Sequence, residues 1–185
     1  YQPLSMISLM LDYAAAGGPD NLWPFHLTSL MLHVLNTALV VVLLYMLLGN
    51  FPAAAAAGLL FGVHPMTVEP LPWLSERKTL LAAFFSLLSL VFYVLYAKKT
   101  AFSGQSSADR VLKSKDHLTN HHSPITMYTA CLAAYTLALM SKPTATPLPA
   151  VMLMMDFWPL NRLSWKRVWE KLPLFIVGGV SAVIT

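Results

Sequence analysis

The chain has 185 residues, of which 57% are hydrophobic and only 11% are charged, and its mean hydropathy is +0.61. A water-soluble domain usually carries about 25% charged residues, because its surface must face water. The composition therefore excludes an ordinary soluble enzyme and a disordered chain, and it predicts a protein whose main solvent is the lipid bilayer.

Apolar runs separated by turn residues divide the chain into about six membrane spans or part-spans. The first run, residues 24–48, is long enough as a helix to cross a bilayer. The second, residues 53–63, is short and rich in alanine, and its small side chains would let another helix approach closely. The remaining runs are residues 79–97, 125–140, 144–160 and 172–185. We therefore predict an all-α, polytopic transmembrane helix bundle.

The segments around these runs predict the organisation of a single membrane domain over residues 1–185. Residues 1–23 are predicted to form an external juxtamembrane segment, residues 24–185 the helix bundle, and residues 98–124 a polar cytoplasmic loop. The chain opens at Tyr1 without a basic start or an initiator methionine, and its last apolar run stops at Thr185. We interpret it as a fragment of a longer protein.

The basic residues are distributed unevenly between the two sides of this bundle. If the spans alternate in direction, nine of the twelve lysines and arginines fall on one side and three on the other. The positive-inside rule places the nine in the cytoplasm and the three outside or in a lumen. Those three residues are Arg77, Lys78 and Lys142.

The three external cations share their side with two acidic residues and a histidine. His64, Glu69 and Glu76 lie in residues 64–78, where three prolines prevent a regular helix. Irregular backbone and ionisable groups at membrane depth are tolerated mainly where they line a cavity or serve a function. Cations beside the free N–H groups of a starting helix suit an anion such as phosphate. The predicted substrate-binding residues are thus Arg77, Lys78, Lys142 and Glu76.

The same residues have simpler interpretations, which the spacing alone leaves open. Arg77 and Lys78 would also be expected to snorkel to an interface, and Lys142 to stabilise the C-terminus of a helix. His64 has an alternative role as a helix-end histidine. Glu69 is a base, a metal ligand together with His64, or a hydrogen-bond acceptor for a sugar. We predict no metal site, and the spacing leaves a divalent cofactor undecided.

Two further polar patterns predict contacts between helices. His26, Ser29, His33 and Asn36 form a stripe at helical spacing on the first span, which is expected to hydrogen-bond to neighbouring helices. Asp156 is expected to form a local ion pair with Arg162.

The block from His64 to Lys78 resembles a known family. Its pattern, His-Pro-x-x-x-Glu-Pro-x-x-Trp-x-Ser-Glu-Arg-Lys before an apolar helix, is similar to that of the transmembrane-and-tetratricopeptide-repeat O-mannosyltransferases and their bacterial relatives. Further family-like segments follow the same order along the chain: Tyr1-x-Pro3-Leu4-Ser5, Phe25-His26-Leu27-Thr28 with His33 and Asn36, Ser141-Lys142-Pro143, and Glu170-Lys171-Leu172-Pro173. Gln2 stands where family members commonly have arginine.

The resemblance implies part of the membrane domain of a C-type glycosyltransferase. Such enzymes take a sugar from a polyprenyl-phosphate carrier on the external or lumenal face and transfer it to a protein hydroxyl. For this family the sugar is mannose, and soluble tetratricopeptide repeats follow the membrane domain. The family's usual catalytic aspartate would precede Tyr1, so Glu69 and His64 are the catalytic candidates within this chain. The expected partners are the lipid-linked sugar, a protein acceptor and the bilayer, with no nucleic acid.

Other functions are compatible with the same pattern. Cations and broken helices near one face also suit a transporter or flippase for an anionic lipid or solute. A non-catalytic membrane anchor for a repeat domain is a third possibility. The expected location is the endoplasmic reticulum membrane in a eukaryote, or the inner or plasma membrane in a bacterium.

Overall fold

The computed structural model describes residues 2–18, 20–103, 123–162, 164 and 168–184. Within those residues the chain is helical and contains no β-strand. Two 3₁₀ turns, Leu74–Glu76 and Pro143–Ala145, interrupt the helical order. The helices are α1 (Pro3–Ala16), α2 (Trp23–Leu48), α3 (Phe51–Val63), α4 (Pro65–Val68), α5 (Arg77–Ser103), α6 (Pro124–Ser141), α7 (Leu148–Phe157) and α8 (Leu172–Ile184).

This architecture confirms the predicted all-α membrane bundle. Three helical segments of the described chain are long and apolar enough to cross a bilayer, namely Trp23–Leu48, Leu74–Thr100 and Pro124–Ser141. They correspond to three predicted spans. Shorter apolar helices cover Pro3–Ala16, Phe51–Val63 and Leu172–Val183. Most of the predicted 98–124 loop lies outside the described residues, although α5 continues to Ser103, beyond the predicted end of its span.

The predicted span 144–160 differs from the helix observed there. After Lys142 the chain makes a 3₁₀ turn, and α7 then has only ten residues. The prolines explain this difference, because Pro143 and Pro147 have no backbone N–H to donate to a preceding helical turn. The segment is therefore a part-span, in which a short helix follows a 3₁₀ turn.

The turn between α2 and α3 shows how local sequence builds a hairpin. Gly49 ends α2 with φ at 69°, in the left-handed conformation that glycine adopts without steric cost. The Asn50 side chain then accepts a hydrogen bond from the Ala53 N–H at 3.1 Å and caps α3. Further along, a Cβ atom on Gly58 would collide with Val41. As predicted for this small-residue span, α3 packs closely on α2.

The bundle has two ends that carry different polar groups. At one end, which we call the Arg77 end, Arg77 contacts Phe25 and Lys142 contacts Thr79. At the other, the Asp156 end, Asp156 contacts Tyr93. Helices α2 and α5 run in the same direction between these ends, and α6 runs in the opposite direction.

The core lies between α5, α6, α7 and α8. Helix α5 packs along α6, and α2 covers another side of α5. The Ser89 hydroxyl donates a hydrogen bond to the Cys131 carbonyl at 3.0 Å, which links α5 to α6 at mid-height. The largest fully buried apolar side chains of this core are Tyr93, Val94, Cys131, Tyr135, Met152 and Leu174.

Candidate functional site at the Arg77 end

The segment before α5 is broken by proline, as the sequence predicts. His64 ends α3 and begins the four-residue α4, and its Nδ1 atom accepts a hydrogen bond from the Met66 N–H at 3.3 Å. This is the helix-end role that was one of its two interpretations, and the imidazole is exposed. Ser75 lies within the 3₁₀ turn Leu74–Glu76, and α5 begins at Arg77.

A polar cavity lies between this broken segment and the start of α5. Its volume is about 330 Å³, and it is lined by Glu69, Pro70, Trp73, Ser75 and Glu76. Glu69 is exposed and Glu76 is half-buried. The structure thus brings together the two predicted carboxylates, whereas His64 is not among the lining residues.

Lys142, at the end of α6, is linked to the cavity-lining residue Glu76 through Thr79. Its ammonium group donates a hydrogen bond to the Thr79 hydroxyl at 2.9 Å, and that hydroxyl donates to the Glu76 carboxylate. Thr79 and Lys142 are 63 positions apart in the chain. A predicted cation and a predicted carboxylate are therefore connected through one hydroxyl group, although nothing in their spacing indicates that connection.

Arg77 points into the bundle and away from the bulk solvent. Its side chain is fully buried, and its Nη1 atom lies 2.6 Å from the Asp12 carboxylate and 3.0 Å from the Ser8 hydroxyl. Its Nη2 atom donates to the Phe25 carbonyl at 2.6 Å. Arg77 is therefore an internal cation that ties α1 and α2 to α5, and its role in phosphate binding stays a prediction.

Lys78 is the third of the predicted substrate-binding cations. It is half-buried in the first turn of α5, and within the described part of the chain its ammonium group has no hydrogen-bond or ion-pair partner. The N-terminus of a long helix carries a partial positive charge and free N–H groups, which raises the local attraction for an anion. Lys78 and the helix terminus together suit a phosphate group better than either does alone.

A metal ion bound by protein side chains needs several suitable ligands close together. In the ranges that the structure describes, no three His, Cys, Asp or Glu side chains lie close enough together to hold a metal ion. Glu69 and Glu76 share the cavity, but they provide only two side chains of suitable type. The site consists of carboxylates, a hydroxyl and lysines, a set suited to binding sugar hydroxyls and an anionic group.

The Asp156 end holds a second charged cluster. The Asp156 carboxylate forms ion pairs with Lys171 and, at 3.2 Å, with Arg162, and it accepts a hydrogen bond from the Tyr93 hydroxyl at 2.6 Å. Glu170 lies 3.7 Å from Arg162. The predicted pairing of Asp156 with Arg162 is confirmed, but the sequence did not indicate that Lys171 is buried in the same cluster.

The predicted contacts of the stripe on α2 with neighbouring helices are confirmed for two of its four residues, His33 and Asn36. His33 Nε2 lies 2.9 Å from the Gly62 carbonyl on α3, and Asn36 donates to the Leu80 carbonyl on α5 at 3.1 Å. Ser29 is buried in the same face, whereas His26 is exposed.

Sequence reasoning missed Asp12 and Thr79. A usable signal for Asp12 was present, because Ser5, Ser8 and Asp12 have the spacing of one helical face in an otherwise apolar segment. Ser5 and Asp12 are indeed the buried residues of α1. Thr79 carried no comparable signal, since a threonine at the start of an apolar helix is common.

Taken together, the fold is that of a helical membrane protein with a polar, charged site at one end of the bundle. Relatives of known name match just over half of the chain. The human protein O-mannosyl-transferase TMTC2 is 32% identical over 106 residues, which is 57% of this chain and 12% of that protein. Tmtc2 and Tmtc1 of Drosophila melanogaster, also named protein O-mannosyl-transferases, are 36% identical over 98 residues and 37% identical over 93 residues. These matches cover 53% and 50% of this chain.

These relatives confirm the resemblance that the motifs indicate, to the transmembrane-and-tetratricopeptide-repeat O-mannosyltransferases. The match covers only 12% of the human relative and 10% and 11% of the two fly proteins. No family profile and no solved structure matches the chain.

Proposed function

We propose that this chain is part of the membrane domain of a glycosyltransferase that moves mannose from a polyprenyl-phosphate donor to a protein hydroxyl. The observation that carries the proposal is the hydrogen-bonded chain from Lys142 through Thr79 to Glu76, a residue that lines a polar cavity. The names of the relatives, protein O-mannosyl-transferases, support the same reaction class.

The geometry supports a division of roles at this end of the bundle. As the sugar leaves its carrier, negative charge develops on the phosphate, and positioned cations stabilise that charge. Lys78 and Lys142 lie near the N-terminus of α5, so they would bind the phosphate there. The Glu69 and Glu76 carboxylates line the cavity and would accept hydrogen bonds from sugar or acceptor hydroxyls.

The acceptor hydroxyl must also lose a proton, which requires a general base. Among the described carboxylates Glu69 is the best placed, because it is exposed at the cavity and Glu76 already accepts a hydrogen bond from Thr79. We favour a carboxylate upstream of Tyr1 for this role, as the resemblance implies, with Glu69 orienting a hydroxyl. His64 is not in the cavity lining, so its contribution would be to cap α4.

The distribution of basic residues supports an external or lumenal orientation for the Arg77 end. Nine of the twelve cations are predicted on the opposite side, which the positive-inside rule places in the cytoplasm. A donor presented on the outer surface, in the endoplasmic reticulum or in a bacterial inner membrane, would meet the site there.

Transfer of labelled mannose by the full-length protein tests this proposal. Purified protein in lipid nanodiscs would receive polyprenyl-phosphate mannose and a protein acceptor. We expect the double change Lys78→Ala with Lys142→Ala to raise the KM for the donor about tenfold or more, the usual effect of losing a charge-assisted contact. Lys98→Ala is the matched control, because Lys98 contacts Met46 at the Asp156 end.

Two results would overturn the proposal. The first is an absence of mannose transfer by the wild-type full-length protein. The second is a double variant whose donor KM equals that of the wild type, which would remove the two lysines from phosphate binding.

The second candidate function is movement of an anionic lipid or solute across the membrane. The broken backbone between α3 and α5, together with the interrupted α6–α7 connection, favours this alternative, because discontinuous helices are typical of transport sites. The same nanodisc protein, reconstituted in vesicles, distinguishes the two: a transporter relocates the labelled donor without transferring its sugar. A non-catalytic anchor would do neither.

A further inference from the structure

Asp12 lies at the Arg77 end and was not among the predicted site residues. It is buried on α1, and its two carboxylate oxygens have different partners. One accepts a hydrogen bond from the Thr28 hydroxyl at 2.8 Å, and the other lies 2.6 Å from Arg77 Nη1. The carboxylate therefore joins the starts of α2 and α5 to α1.

The Arg77 side chain depends on this carboxylate. A fully buried guanidinium is stable only when its charge and its N–H groups are matched, and Asp12 is its ion-pair partner. The Ser8 hydroxyl and the Phe25 carbonyl complete the contacts of its terminal nitrogens. Without Asp12 the positive charge would lie uncompensated among α1, α2 and α5, and the guanidinium would be driven towards water.

The position of Arg77 determines how the first turn of α5 is rotated. Successive residues of an α-helix are separated by about 100° around its axis, so Thr79 points nearly opposite to Arg77 and Lys78 lies between them. The contacts agree with this geometry, because Arg77 reaches α1 and α2 whereas Thr79 reaches Lys142 beyond α6. Anchoring Arg77 inward therefore sets the direction of Lys78 and brings Thr79 to Lys142.

We infer that Asp12 is a positioning residue for the anion-binding site. By holding Arg77 inside the bundle, it fixes the rotation of α5 at which Lys78 and the Thr79–Lys142 pair meet the phosphate of the donor. The inference rests on the proposed function for the identity of that ligand. It assigns to Arg77 an indirect role, through the helix that it anchors.

The first test measures position without measuring activity. Full-length protein with Lys78→Cys as its one reactive cysteine would be labelled in nanodiscs with a water-soluble maleimide, with and without Asp12→Asn. We expect Asp12→Asn to change the labelling rate at position 78 several-fold, whereas Asp20→Asn leaves it unchanged. Asp20 is an exposed aspartate in the turn before α2, so it is the matched control. An unchanged rate in the Asp12 variant would overturn the inference.

The second test separates positioning from a loss of structure. We expect Asp12→Asn to raise the KM for the polyprenyl-phosphate donor about tenfold while the KM for the protein acceptor stays constant. Asp12→Glu keeps the charge and should restore most of the donor affinity. Equal effects on both KM values, or a donor KM like that of the wild type, would contradict the inference.

A third variant covers the case in which Asp12→Asn does not fold. The double change Asp12→Asn with Arg77→Gln removes both charges, so no lone charge remains buried, and it should still show the altered labelling and the raised donor KM. If this double variant behaves like the wild type, Asp12 has no positioning role. If the wild type transfers no sugar, the proposed function fails while the labelling experiment still decides the role of Asp12.

Discussion

The two ends of the bundle use similar residues in different ways. At the Asp156 end, Asp156 is fully buried and bonded to Tyr93, Arg162 and Lys171, so its charge is matched by close partners. At the Arg77 end, one buried ion pair lies near a polar cavity. There Glu69 is exposed and Lys78 is half-buried. Both ends contain acids and bases, but among the described residues the Asp156 cluster is paired within itself, whereas Glu69, Glu76 and Lys78 lie at or near a cavity.

The difference separates charges that hold helices together from charges that can bind. A buried charge is tolerated only when its partners compensate for lost hydration, and such a network has little capacity for another ion. The Arg162 guanidinium also lies over the Tyr96 ring, 5.7 Å from its centre, which further encloses the Asp156 end. A partly hydrated lysine beside a helix N-terminus keeps its capacity to bind an anion.

The largest expected effect is at the Asp156 end. Asp156→Ala would leave Lys171 and Arg162 without their shared carboxylate, and we expect the free energy of unfolding to fall by about 3–5 kcal/mol. Denaturant unfolding in detergent micelles measures the change. Asp20→Ala, which removes an exposed aspartate, is the control and should cost less than about 0.5 kcal/mol. A loss below about 1 kcal/mol for Asp156→Ala would show that this cluster does not support the fold.

An intermediate effect on the free energy of unfolding is expected near the Arg77 end, where α8 is held by packing and not by charge. The Tyr135 hydroxyl donates to the Thr146 carbonyl at 3.1 Å in the segment that follows Lys142, and a Cβ atom on Gly178 would collide with that hydroxyl. Gly178→Ala should therefore reduce the free energy of unfolding by about 1–3 kcal/mol.

The neighbouring glycine provides the control for this prediction. A Cβ atom on Gly179 would meet no atom within 4 Å, so Gly179→Ala should be neutral or stabilising by up to about 1 kcal/mol. The two variants would be compared by thermal unfolding in the same detergent. Equal stability of the two would contradict the close packing of α8 against Tyr135.

The smallest expected effect tests the opposite side of the comparison. Lys78→Gln removes a charge that has no partner in the described chain, so the free energy of unfolding should change by less than about 0.5 kcal/mol. The same denaturant measurement applies. A loss above about 1 kcal/mol would mean that Lys78, like Arg77, holds the bundle together.

The sequence predicted the fold well because hydropathy and helix-breaking residues act locally. The long apolar runs correspond to α2, α5 and α6, and the Gly49-Asn50 pair separates α2 from α3. It was less successful for residues 144–160, where prolines replace a long span with a 3₁₀ turn and a short helix. Several prolines lie close together in that segment, and the length of helix that they leave depends on how the neighbouring helices pack.

The candidate site was predictable in its composition but not in its connections. Glu69, Glu76 and Lys142 could be selected because charges are rare in this chain and therefore informative. Nothing in the sequence showed that Arg77 would turn inward to Asp12 while Lys78, its neighbour, stays half-exposed. Adjacent residues on a helix point in different directions, and the environment of each depends on which helices lie alongside.

By itself, the sequence determined a helical membrane protein, its main spans and the charged segment between α3 and α5, because burying apolar surface in lipid requires long apolar helices with satisfied backbones. Only the tertiary structure decided which charges are paired. Asp12 meets Arg77 and Thr79 meets Lys142 across 65 and 63 positions of chain, through helix packing that no local pattern encodes. The same packing creates the cavity at the Arg77 end and leaves Lys78 without a partner among the described residues.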